Sequence, residues 1–126
     1  MRPDLEQRLA VIPRRLRARH GDDARRLDLM LAPDERVRAV TAGPLLGQGN
    51  ALVVVTDRRI LGAGPGWTTS VPYGQLSGVV ADRRLVLLST VTIHAAGRVW
   101  ALRSPRQAAD EFVAAVRQAA GLASPV

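Results

Sequence analysis

The chain has 126 residues, enough for one hydrophobic core and too few for a second independent unit. Apolar residues make up 47% but aromatics only 3%, so the core must be built from Val, Leu, Ile and Ala, and the absence of cysteine excludes disulfides, thiolate chemistry and thiolate-bound zinc. The formal net charge of +7 rests on 18 basic residues that are all arginine. A GC-rich coding sequence produces that bias without any anionic partner, so clustering of charge carries more weight than its total.

In chain order, Leu5, Leu9, Ile12 and Leu16 recur at helical spacing and form one stripe edged by Arg8, Arg15 and Arg19. Four of the seven excess charges fall in residues 1–26. Pro13 lacks a donor and clashes with the carbonyl of Leu9, so the helix is expected to kink or restart there, with Gly21 ending it. Asp22 is placed to cap a second short helix running to Leu31, with Leu27, Met30 and Leu31 as its apolar face. Residues 1–32 therefore read as a helical extension. The first twenty residues hold no signal-peptide core, and the longest apolar run, residues 51–55, is too short to span a bilayer, so a cytoplasmic location is expected.

From Arg36 the period changes to alternation, with turn residues every eight to ten positions. Seven strands are expected over residues 37–42, 51–56, 59–63, 67–72, 76–81, 85–95 and 99–103. Ser104 and Gln107 read as a capping box with Pro105 at the first helical position. Ala109, Phe112, Val113, Val116 and Ala120 share one face of the helix that follows, and Gly121 ends it. The fold class is mainly β with flanking helices (α+β): a sheet domain over residues 33–121 and a tail at 122–126.

Seven short strands followed by one amphipathic helix resembles the layout of pleckstrin-homology and GRAM-type domains. The run Leu52-Val53-Val54-Val55-Thr56-Asp57-Arg58-Arg59-Ile60 resembles the strand, tight Thr-Asp turn and Arg-aliphatic restart of bacterial pleckstrin-homology-like domains. Val71-Pro72-Tyr73 with Leu76 and Val79 is similar to that family's spacing after the fourth strand, and Thr92-Ile93 through Gly97 to Trp100 resembles its last hairpin. Asp34-Glu35 before the first strand also fits, and the resemblance covers residues 31–120. It implies a seven-stranded antiparallel barrel of two orthogonal sheets, capped by the C-terminal helix, acting as a non-enzymatic binding or adaptor module. In membrane-binding members the ligand mouth is formed by the first, third and sixth inter-strand loops, here residues 43–50, 62–66 and 95–98. Only Arg98 among them is basic, a departure from the phosphoinositide-binding pattern.

The residues carry no catalytic constellation. Asp57 is suited to accept local backbone donors in its turn and has no acid or base partner nearby in sequence. His20 is expected to be solvated at a helix end and His94 to face outward, with no carboxylate at ligand spacing, so no metal site is expected. Asp22-Asp23 and Asp34-Glu35 read as helix-end charges. No glycine run cradles phosphate and no cofactor is implied. Leu45 and Leu46 at the first loop tip are either exposed contacts or fold back onto the core or the N-terminal helix, and Arg98, Arg8, Arg15 and Arg19 are candidate polar contacts. The leading expectation is a protein partner or self-association. The alternative is weak peripheral contact with anionic membrane lipid through the Arg-rich N-terminal helix. Nucleic acid is not expected, because Trp67, Trp100, Tyr73 and Phe112 are too few to make a stacking platform.

Overall fold

The structure, a computed structural model, describes residues 1–83 and 88–121. The expected start of the sixth strand at 85 and the tail at 122–126 lie outside the described residues. The elements are α1 (Pro3–Leu9), α2 (Arg14–Arg19), α3 (Gly21–Met30), β1 (Val37–Leu45), β2 (Gly49–Thr56), β3 (Arg59–Gly64), β4 (Trp67–Pro72), a 3₁₀ turn at Tyr73–Gln75, β5 (Leu76–Arg83), β6 (Leu88–Ala95), β7 (Arg98–Pro105) and α4 (Arg106–Ala120). The seven strands are antiparallel in the order β4-β3-β2-β1-β7-β6-β5, so the two expected sheets are halves of one curled sheet.

The halves join where β1 meets β7, at Leu45 opposite Leu102, extended by the Leu46 amide donating to the Ala101 carbonyl at 2.9 Å. Gly43 permits this closure. A Cβ there would stand 1.6 Å from the Arg103 carbonyl oxygen, so any side chain would push the two strands apart. The curled meander, with α4 packed against β1, β2, β5, β6 and β7, is the pleckstrin-homology-like fold that the sequence resemblance implied.

Alternation along β2 places each side chain in one of two cores. Ala51, Val53 and Val55 point to the inner core with Val91, Ile93, Leu102 and the Ala109, Phe112, Val113 and Val116 face of α4. Leu52 and Val54 point outward, where Leu5, Ile12, Ala24 and Leu27 from α1, its following loop and α3 cover them together with Val40 and Leu61. A strand buried on both faces reads as the unbroken apolar run seen at residues 51–55. Phe112 is fully buried, and removing a side chain of that size from water contributes about 2 kcal/mol. Gly121, at φ 72°, terminates α4 as expected.

The helix restarts at Pro13 as expected: the chain leaves helical geometry after Leu9 and Pro13 takes the N-cap position of α2, so the N-terminal region forms three helices. Three local expectations are corrected. Gly21 is the first residue of α3 and lacks a positive φ, so the backbone passes from α2 to α3 through His20 without a left-handed stop. Asp22 does not cap α3 and pairs instead with Arg25 on the exposed surface. The capping box does not form: Ser104 belongs to β7 and its hydroxyl bonds that of Thr41 across the β1–β7 junction, leaving Pro105 at the cap.

Candidate binding cleft

Curling brings the inner faces of β3 and β4 opposite those of β6 and β7, and a cleft of about 220 Å³ remains between them. Its apolar walls are Leu45, Val53, Ile60, Val71 and Ile93, together with Trp67 of β4 and Trp100 of β7. Gln48, Thr69 and Arg98 supply polar groups. Three connections set these groups in place. Gln48 lies between β1 and β2, Trp67 follows the β3–β4 turn, and Arg98 follows the β6–β7 turn.

Each turn has a local cause. Gly47 and Gly49, at φ 81° and 78°, let β1 and β2 reach their three-residue link, so the first loop is shorter than expected. Ala96 and Gly97, at φ 52° and 74°, both adopt the left-handed region that a two-residue type I′ hairpin demands. Glycine also shapes the cleft wall at Gly62 and Gly64. A Cβ on Gly64 would sit 2.6 Å from Trp67 Cε2 and Nε1, so the indole lies flat on β3 only because that position is bare.

The N-terminal helices lock the far side of β3. Arg26 of α3 donates to the carbonyl of Gly64 at 2.8 Å and to that of Trp67 at 3.4 Å, and it pairs with Asp23. His20 is 2% exposed and its Nδ1 lies 2.7 Å from Asp23 Oδ2, a correction to its expected solvation. Helix packing buries the imidazole, and the neighbouring carboxylate satisfies one ring nitrogen; Nε2 is buried and has no hydrogen-bond partner among the described residues.

A buried ion pair anchors α3 to the start of β1 and to β3. Glu35 is 1% exposed and accepts hydrogen bonds from Arg59 Nη2 and Nε at 2.9 and 3.0 Å, Thr56 Oγ1 at 2.6 Å and the Ala32 amide at 3.1 Å. Burial by itself would raise the carboxyl, but the donors from Arg59, Thr56 and Ala32 outweigh it and hold Glu35 down at about 2. Arg59 Nη2 also donates to the Met30 carbonyl at 2.7 Å. Glu35 is therefore an internal structural anion, not the helix-end charge expected from its position. Asp57 accepts from the Arg36 amide at 3.0 Å, whereas the donors inside its own turn, the amides of Arg58 and Arg59, go to Thr56 Oγ1. Sequence reasoning missed Thr56 and Glu35, whose signal was the Thr-Asp-Arg-Arg run standing after an acidic pair.

The structure divides the six candidate contact residues. Leu45 is buried at 7% and forms part of the cleft wall, the inward one of its two expected placements; it lies opposite Leu102. Leu46 is 83% exposed. Arg98 lies at the cleft, while Arg8, Arg15 and Arg19 are exposed on α1 and α2, away from Arg98 in sequence and in the fold. His94 is exposed as expected. Among the described residues no group of three His, Asp or Glu side chains could hold a metal, and no helix is long and apolar enough to cross a membrane.

No known family model matches the chain, and no curated protein matches it. Among solved structures, the crystal structure of a pleckstrin homology domain from Shewanella amazonensis SB2B aligns with 79% of this chain and 96% of that one, at a TM-score of 0.49 and 16% identity.

Proposed function

We propose that the protein is a non-enzymatic adaptor module that captures a peptide segment of a partner protein in the cleft between Trp67 and Trp100. The observation that carries this reading is the cleft's lining: two indoles and five aliphatic side chains around a space of about 220 Å³, with Arg98, Gln48 and Thr69 as the polar groups. An apolar cavity of about 150 Å³ admits benzene, so this space suits one large apolar side chain. Arg98 then offers a guanidinium to a neighbouring carboxylate of the same segment, and Gln48 and Thr69 offer hydrogen bonds to its backbone. Indoles at the centre of a small pocket are the residues in which binding energy concentrates.

The test is selection of peptides on the full chain from a random library, then titration calorimetry. Trp100→Ala should weaken a selected peptide by about tenfold or more, and Arg98→Ala should weaken acidic peptides more than their neutral analogues. Equal affinity of the wild type and Trp100→Ala for every selected peptide would exclude the cleft as the capture site.

One observation supports a second reading, contact with anionic membrane. Arg8, Arg14, Arg15 and Arg19 are exposed and none of them forms an ion pair among the described residues. The stripe of Leu5 and Ile12 is consumed in packing, so this contact would be electrostatic adsorption and not helix insertion. Co-sedimentation with phosphatidylserine vesicles that is unaffected by reversing Arg15 and Arg19 to Glu would dismiss it.

A further inference from the structure

The curled sheet ends in two edge strands, β4 and β5, each paired with a single neighbour among the described residues. The β5 edge is blunted: its register with β6 shifts between Leu76 and Gly78, and Arg117 of α4 donates to the Val79 carbonyl at 3.1 Å. The β4 edge has neither device. Its register with β3 runs unbroken from the Gly64 and Trp67 pair to the Arg59 and Pro72 pair, it holds no charged residue, and its only proline is its last residue.

The link between β3 and β4 decides which main-chain groups face outward. Two residues join the strands, so Gly64 and Trp67 form a hydrogen-bonded pair and the pairs beyond them alternate. Thr68, Ser70 and Pro72 fall at the non-hydrogen-bonded positions, where N–H and C=O point away from β3. Pro72 suits such a position because it has no N–H to leave unpaired. The free edge therefore offers the amides and carbonyls of Thr68 and Ser70, whose side chains are exposed, while Trp67, Thr69 and Val71 line the cleft. An unpaired main chain thus runs directly beside the cleft.

We infer, on the reading that a partner's peptide occupies the cleft, that the peptide is held as an added strand, antiparallel on the edge of β4. Alternating donors and acceptors call for an extended main chain, and antiparallel pairing continues the pattern of the whole sheet. The peptide residues opposite Thr68 and Ser70 exchange N–H to C=O hydrogen bonds with them in both directions. The residue between, opposite Thr69, turns its N–H and C=O away from β4 and its side chain to the inner face, into the cleft. Recognition then has a period of two, with the main chain read at alternate residues and the side chain read between them. A second copy suits this edge less well, because the inward residues of its own β4, Trp67, Thr69 and Val71, already line its own cleft.

The test takes a peptide selected on the full chain from a random library, remakes it with a single N-methyl group at each residue in turn, and titrates the series by calorimetry. N-methylation should weaken binding about tenfold or more at two residues one apart from each other, and leave the residue between them unaffected. Replacing the side chain of that middle residue by Ala should also cost about tenfold. On the protein, Ser70→Pro removes only an outward N–H from the strand and should bind about tenfold more weakly. Ser70→Ala, which loses a hydroxyl that accepts from Arg59 Nη1 at 3.3 Å, should bind like the wild type, with both folds checked by circular dichroism. A peptide that depends on Trp100 but shows no alternation, or a folded Ser70→Pro that binds like Ser70→Ala, would overturn strand addition and leave the cleft reading in place. Alternation in a peptide indifferent to Trp100→Ala would overturn the cleft reading, and with it the inward side chain. A wild type that dimerises alone in sedimentation velocity, while Ser70→Pro stays monomeric, would give the edge to a second copy and overturn the proposal.

Discussion

Substituting Glu35 by Gln removes the negative member of a pair whose other member, the Arg59 side chain, is only 26% exposed. The native carboxyl sits at about 2 against an ordinary 4.5, a difference corresponding to about 3 kcal/mol in favour of the carboxylate in the fold. Loss of one partner from a buried pair costs about 3 to 5 kcal/mol, and the partial hydration of Arg59 places this site at the lower end. A domain of this size should then melt about 10 °C lower. Because the folded carboxyl is depressed, its contribution is complete above about pH 4.5 and fades as pH falls toward 2. Urea unfolding of the wild type and Glu35→Gln at pH 7, 4 and 2.5 should show a gap of about 3 kcal/mol that narrows steadily with acidification. A gap under about 1 kcal/mol at pH 7, or one independent of pH, would refute the reasoning.

Other positions give sharper structural checks. Gly43→Ala cannot coexist with the Arg103 carbonyl 1.6 Å from its Cβ, so it should cost about 3 kcal/mol or more, read by chemical denaturation. Ala96→Asn should stabilise the protein by about 0.5 to 1 kcal/mol, because asparagine tolerates the φ of 52° that alanine does not favour; a lower melting temperature would contradict the type I′ assignment. Tyr73 is the sole tyrosine, and its hydroxyl donates to the carbonyls of Thr56 and Arg59. Burial, then the negative charges of Asp57 and Glu35, push the phenol upward, so an ultraviolet titration should show no phenolate at pH 11 while the fold persists. Ionisation near pH 10 in the folded protein would mean that Tyr73 is solvated.

How much of this was legible in the sequence depended on the range of the interactions involved. Residues 51–60 announced a two-sided strand and a tight turn because alternation and turn chemistry are local, and the C-terminal helix face was readable for the same reason. The closure of β1 on β7 was not readable, since Gly43 matters only because Arg103 comes to lie beside it. The same limit hid Glu35, whose partners Thr56 and Arg59 stand 21 and 24 residues away, and His20, whose burial depends on how the helices pack. Gly21 misled because glycine signals a helix end only when the chain needs a positive φ, and here it does not. Arg98 was read as a candidate contact and both tryptophans were noted, but that all three line one cleft depends on the curl of the sheet, which brings β4 and β7 together.

Trp67 and Trp100 are the only tryptophans in the chain, and both line the cleft. Fluorine NMR of protein labelled with fluorotryptophan therefore reads the proposed capture site with two signals and no background. Addition of a library-selected peptide should move both resonances, with both returning when the peptide is competed away. Saturable binding of that peptide with neither resonance displaced would place capture elsewhere on the molecule and contradict the central claim.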